Sequence, residues 1–155
     1  MTIKYVAGFL FSSDRRRVAL IEKLRPDWQR GQLNGIGGKI EAGEDLIDAM
    51  VREFFEETGV STSPDDWKPF VKMERYSVYQ STFYRAFSDS IDNVMSQEAE
   101  KVGIYEVCNL PPNVIFNLRW LIPLALDWKL DFEEVIRVVE DEAEPPLQLE
   151  VSLAK

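Results

Sequence analysis

Gly38-Lys39-Ile40-Glu41-Ala42-Gly43-Glu44-Asp45-Leu46-Ile47-Asp48-Ala49-Met50-Val51-Arg52-Glu53-Phe54-Phe55-Glu56-Glu57-Thr58-Gly59-Val60 is a glycine-rich turn that runs without a gap into a helix-forming segment. The spacing predicts a helix over residues 45–58. Asp45 stands where a side chain caps the helix, Asp48 lies in the first turn beside the positive end of the helix dipole, and Gly59 supplies the C-terminal stop. At ~100° per residue, Glu53, Glu56 and Glu57 fall within an arc of roughly 100°. Ile47, Met50, Val51, Phe54 and Phe55 fill the opposing arc and are expected to face the core. Like charges so close together destabilise a helix, so this face calls for a compensating cation. Hard divalent ions bind carboxylate oxygens and accompany phosphate-rich ligands, which makes Mg²⁺ the natural choice. Arg52, one step round the helix, is placed to hold one carboxylate, Glu56 at i+4. The competing account is a solvated acidic face. The glycine-rich turn ahead of the helix favours a site, because such backbone can approach a phosphate or lend a carbonyl to a metal.

Upstream, residues 5–11 and 18–23 are rich in β-formers and flank a polar turn, as in a hairpin. Residues 25–43 hold Gly31, Gly35, Gly37, Gly38 and Gly43 and read as a structured loop. Downstream, residues 67–73, 76–87 and 101–107 read as strands, and 109–113 as a loop around Pro111-Pro112. Residues 115–128 read as a second helix in which Pro123 can form a kink. Residues 132–139 fit a last strand or a helix equally, since periodicity does not decide between them. The division is then one domain over residues 1–140 and an acidic C-terminal tail over 141–155.

The quoted stretch resembles the Nudix box, Gly-x5-Glu-x7-Arg-Glu-U-x-Glu-Glu-x-Gly-U with U a bulky apolar residue. Gly38, Glu44, Arg52, Glu53, Glu56, Glu57 and Gly59 occupy its fixed positions. Val60 fills the second U, and Phe54 fills the first, where an aliphatic residue is more usual. The resemblance implies an α/β fold, a Nudix-type α/β/α sandwich around a mixed β-sheet. It also implies hydrolysis of a nucleoside diphosphate linked to another moiety, with Mg²⁺ or Mn²⁺ on the box helix. Carried over, Glu56 and Glu57 are metal ligands, Glu53 is a ligand or the base that activates water, and the carbonyl of Gly37 or Gly38 is a further ligand. Arg52 would hold the glutamates, and Glu44 would brace the loop. In the family a carboxylate from outside the box often completes the site; Glu98 is preferred here over Glu100. Such chemistry needs no histidine, because a carboxylate suffices as base.

Substrate contacts are read from residues near the loop. Lys23, Arg25 and Lys39 are basic groups in an acidic chain, suited to phosphate oxygens; for Lys23 an ordinary surface role fits as well. The segment from Leu33 to Lys39 resembles the Asn-Gly-x-Gly-Gly-Lys of members that sanitise oxidised purine nucleoside triphosphates, which makes Asn34 the candidate for reading the base; a plain turn role is the other account. Asn113 and Asn117 lie near the start of the second helix, where some relatives contact the base, although capping explains Asn113 more simply. Trp28, Phe83, Tyr84 and Trp120 are available for stacking or for packing. The MutT-like reading is therefore a nucleoside triphosphate pyrophosphohydrolase, with non-standard purines such as 8-oxo-dGTP as candidate substrates. A dinucleotide, ADP-ribose or other nucleotide-sugar pyrophosphatase is the close alternative, and a nucleotide-sensing module without turnover is the alternative of another class.

Composition narrows the partners. The chain has 155 residues and a formal net charge of −9 with no His, which argues against nucleic-acid polymers and anionic membranes and excludes His-based triads. Its longest apolar runs fall short of the ~20 residues that span a bilayer. Cys108 is the lone cysteine; it is expected to be buried as a small apolar residue, and its solitude suits a reducing cytoplasm. Monomer and homodimer both remain open.

Overall fold

In the computed structural model, which describes residues 1–140, the strands are β1 (Ile3–Phe11), β2 (Arg17–Glu22), β3 (Leu33–Asn34), β4 (Ile36–Lys39), β5 (Lys68–Arg75), β6 (Tyr79–Phe87), β7 (Lys101–Glu106) and β8 (Ile136–Val139). Helix α1 (Leu46–Thr58) lies between β4 and β5, and α2 (Leu118–Leu126) between β7 and β8. The acidic tail, residues 141–155, lies outside the described residues.

All eight strands join one mixed sheet, in which β1 runs parallel to β6 and β5 parallel to β8 while the other pairings are antiparallel. Alternation along β1 sends Ala7, Phe9 and Phe11 into a core shared with α2, and Val6 and Leu10 into a core shared with α1. The result is an α/β/α sandwich, as the box resemblance implies. Strand β1 also divides its partners along its length. Phe11 pairs with Val18 of β2, whereas Tyr5, Val6, Ala7 and Gly8 pair with Lys39, Gly38, Gly37 and Ile36 of β4. The sheet therefore splits between β2 and β4, and the glycine-rich loop bridges the split.

Several sequence expectations need correction. Residues 25–43 are not all loop: β3 and β4 lie there, too short to show a period, and they gain their order from pairing with β2 and β1. Helix α2 begins at Leu118 because the segment before it is stitched to β3 instead. Leu33 N–H donates to Asn113 O at 3.0 Å, and Ile115 N–H donates to Leu33 O at 2.9 Å. Of residues 132–139 only Ile136–Val139 is a strand, while Phe132 is buried under the Arg85 guanidinium, 4.6 Å from its ring centroid. Cys108 is exposed, because it sits in a short turn whose neighbours Val107 and Leu110 take the core side. Phe55 is likewise 52% exposed, since the sheet covers only the stripe of α1 that carries Ala49, Met50 and Phe54. Asp45 occupies the N-cap position without a side-chain capping bond, whereas Gly59 does end the helix in the left-handed region at φ 74°. Among the described residues, no helix is long and apolar enough to cross a membrane.

Candidate active site

Helix α1 rests on β1 and β4, and its acidic face begins where Gly38 meets it. A Cβ on Gly38 would stand 2.5 Å from the carboxylate of Glu53, so only glycine lets the side chain settle on the strand. Arg52 organises the ridge. Its Nε and Nη2 donate to the two oxygens of Glu44 at 2.7 and 2.9 Å, Nη1 donates to Glu53 at 2.9 Å and Glu56 at 3.2 Å, and Nη2 also reaches Lys39 O at 3.2 Å. All the N–H groups of the guanidinium are thereby used. The expected contact with Glu56 is present, but the bidentate pairing with Glu44 is the tighter one. Glu44 also accepts the Glu41 N–H at 3.0 Å, which ties the turn to the helix.

These contacts set the charges. Hydrogen bonds from Arg52, then the Glu41 amide, push the Glu44 carboxyl down to about 2. Glu53 moves the other way, because burial outweighs the stabilisation it receives from Arg52. Glu57 is pushed up to about 7, first by burial and then by the charges of Glu98 and Glu100. It is only 7% exposed, and its Oε2 has no hydrogen-bond partner.

The outer carboxylates separate by what holds them. Glu100 accepts from Lys23 Nζ at 2.9 Å and from the Leu24 amide at 2.6 Å. Burial opposes its ionisation, yet the Leu24 amide and Lys23 outweigh burial and hold it below the ordinary value. Lys23 is thus engaged in a largely buried ion pair rather than standing free for phosphate. Glu98 is exposed, makes no hydrogen bond among the described residues, and acts electrostatically on both Glu53 and Glu57. Arg25 and Lys39 are exposed, and Lys39 lines an open hollow with Ile40, Glu41, Arg52, Glu53 and Glu56.

The residues fit a hard dication. Among the described residues no three acidic groups already converge as a metal cage, since Arg52 draws Glu53 and Glu56 toward itself. The donor set is nevertheless all oxygen, and the orphaned Oε2 of Glu57 beside two desolvated or repelled carboxylates is satisfied best by a cation. Glu53, Glu56, Glu57 and the carbonyl of Gly37 or Gly38 are the groups that would hold it, with Glu98 within electrostatic reach.

At the far end of the loop the polar groups are neutral. Asn34 Nδ2 donates to Gln29 Oε1 at 3.2 Å, and Asn34 Oδ1 accepts the Gly35 N–H at 2.8 Å. Asn113 does not cap α2; its Nδ2 donates to Gly31 O at 2.9 Å and joins the 113–117 segment to the loop. Asn117, which precedes α2, has only the Met73 sulfur 3.7 Å from its Nδ2, and its Oδ1 is buried without a partner. Phe83 and Tyr84 are 5% and 3% exposed in opposite cores and are withdrawn as stacking candidates. Trp120 packs partly buried against the α2 core, whereas Trp28 is 69% exposed on the loop. Sequence reading missed Gln29, because nothing in a turn-rich loop marks a glutamine that will meet an asparagine five positions later.

The model of the NUDIX domain matches residues 1–139. Nucleoside diphosphate-linked moiety X motif 6 of Mus musculus is 42% identical over 60 residues, a stretch that covers 37% of this chain and 18% of that protein. A MutT structure from work on Aliivibrio salmonicida and Vibrio cholerae superposes with a TM-score of 0.64 at 25% identity and covers 81% of this chain and 98% of its own. The MutT Nudix hydrolase of Burkholderia pseudomallei shares the fold with a TM-score of 0.66 at 18% identity, over 80% of this chain and 98% of its own.

Proposed function

The chain belongs to the Nudix family, and from that premise we propose a Mg²⁺-dependent hydrolase, with Mn²⁺ the other fitting ion, that cleaves a nucleoside triphosphate to the monophosphate and pyrophosphate. The observation that carries this reading is the buried, partnerless Oε2 of Glu57 within an acidic ridge that a single arginine holds together. When bound there, a dication offsets phosphate charge and lowers the pKa of water. The protein's own groups do the rest. Arg52 and Glu44 fix the ridge, Gly38 lets Glu53 lie against the strand, and Lys39, which lines the hollow, with the exposed Arg25 supplies positive charge for phosphate oxygens. A water oxygen bonds to phosphorus, the anhydride P–O bond breaks toward the pyrophosphate, and a carboxylate of the set takes the water's proton.

Asn34 and Trp28 supply the base end, with an amide to read donor and acceptor edges and an exposed indole to stack, while Asn117, whose Oδ1 is buried, is a candidate that must turn outward to take part. The resemblance of Asn34-Gly35-Ile36-Gly37-Gly38-Lys39 to the segment of Nudix members that sanitise oxidised purine nucleoside triphosphates supports a triphosphate and, among bases, a non-standard purine. We place the protein in the cytoplasm, a reducing compartment that its lone cysteine suits. Product analysis with Mg²⁺ and a panel of nucleotides tests the reading. Release of pyrophosphate and nucleoside monophosphate, abolished in Glu57→Gln, is expected. Two phosphomonoesters from a nucleotide sugar, with no pyrophosphate from any triphosphate, would replace it.

A further inference from the structure

We infer that Gln29 is a positioning residue for base selection, acting through Asn34. This inference rests on the reading of Asn34 as the residue that meets the base. A backbone N–H can only donate, so the Gly35 N–H at 2.8 Å identifies the atom facing it as Asn34 Oδ1. The amide nitrogen must then point the other way, and there it donates to Gln29 Oε1 at 3.2 Å. Gly35 thus decides which end of the amide faces the strand. It does not fix the plane, because the terminal torsion of asparagine is broad. Gln29 supplies that second point.

Gln29 is itself held. It closes a short turn in which its N–H donates to Pro26 O at 2.9 Å and its carbonyl accepts from Gln32 N–H at 2.9 Å. The base of the same loop is fastened where Gly31 N–H donates to Lys23 O at 2.8 Å and Glu100 grips Lys23 and the Leu24 amide. Glu100 therefore anchors the loop, Gln29 orients the amide, and Asn34 is left with one N–H and one lone pair unused. Such a pair engages a base edge that offers an acceptor next to a donor, and a tilted amide loses one of the two bonds.

The test uses the full chain and compares Gln29→Leu, Gln29→Glu and Asn34→Ala on a panel of ribo- and deoxynucleoside triphosphates. Gln29→Leu should reduce the ratio of kcat/KM between the best and worst bases about tenfold, with kcat on the best substrate little changed. Gln29→Glu keeps an acceptor for Asn34 Nδ2 and should restore the ratio. In parallel, the Asn34 side-chain amide protons, followed by ¹⁵N NMR, should exchange faster in Gln29→Leu and remain protected in Gln29→Glu. An unchanged base ratio in Asn34→Ala would remove the base-reading role of Asn34 itself. A ratio that collapses in Asn34→Ala but survives Gln29→Leu overturns the role of Gln29 alone. Equal collapse in Gln29→Leu and Gln29→Glu also overturns it, as does unprotected Asn34 amide in the native protein.

Discussion

The two ends of the glycine-rich loop are built on opposite electrostatic plans. At the α1 end, Glu44, Glu53 and Glu56 converge on a single guanidinium while Glu57 lies buried with an oxygen that nothing answers. At the other end the groups are neutral amides: Asn34 is held by Gln29 and the Gly35 N–H, and Asn117 meets only the Met73 sulfur. A charged site of the first kind depends on pH and on a counter-ion. An amide site of the second kind depends on geometry alone. Rate should therefore be lost by disturbing the first region, and selectivity by disturbing the second.

The largest expected effect is Glu57→Gln, which should lower turnover about 10³-fold while circular dichroism shows a native fold. Arg52→Ala should cost about 10–100-fold in activity, and Arg52→Lys should not restore it, because an ammonium cannot reproduce the two-pronged grip on Glu44. If the Lys variant matches the native rate, the bracing account of Arg52 is wrong.

The pH response divides the carboxylates further. Glu57 has a folded pKa of about 7 against 4.5 ordinarily, so the unfolded chain releases this proton first. Without a divalent cation, stability should fall as pH rises from about 4.5 to about 7 and then level off, and Glu57→Gln should flatten that slope, leaving the share that the raised Glu53 carboxyl contributes in the same direction. Glu44 runs the other way, since its folded pKa lies near 2. Its contribution is complete above about 4.5 and is lost as pH falls toward about 2. Thermal melts across pH on native protein, Glu57→Gln and Glu44→Gln resolve the two wings, and parallel profiles for all three would break the contrast.

At the amide end the effects are smaller. Asn34→Ala should lower discrimination between bases about tenfold or more and leave the pH profile unmoved. Trp28→Ala should raise KM about three- to fivefold with kcat nearly constant, as steady-state kinetics on the preferred triphosphate will show.

How much of this could be read from the chain differs between the same two regions. The box helix was legible because its acidic residues lie within one continuous segment, so 3.6-residue geometry alone put Glu53, Glu56 and Glu57 within one arc of α1. What the sequence could not show was that Glu57 would be buried and Phe55 exposed, since that depends on how far the sheet extends beneath α1. The loop end was legible only as a list of candidates. Lys23 is tied to Glu100 across 77 positions, and Asn113 binds Gly31 across 82, contacts that only the closed sheet creates. Strands β3 and β4 were hidden for the same reason, being ordered by their partners and not by their own residues.

Titration calorimetry with MgCl₂ and MnCl₂ on native protein and Glu57→Gln at about pH 7.5, above the folded pKa of Glu57, probes the ridge most directly. Saturable binding to the native chain, lost or strongly weakened in the variant and accompanied by proton release near neutrality, is the expected result. No uptake by the native protein with or without a nonhydrolysable nucleotide, or equal uptake by both proteins, would contradict a ridge built to hold a dication.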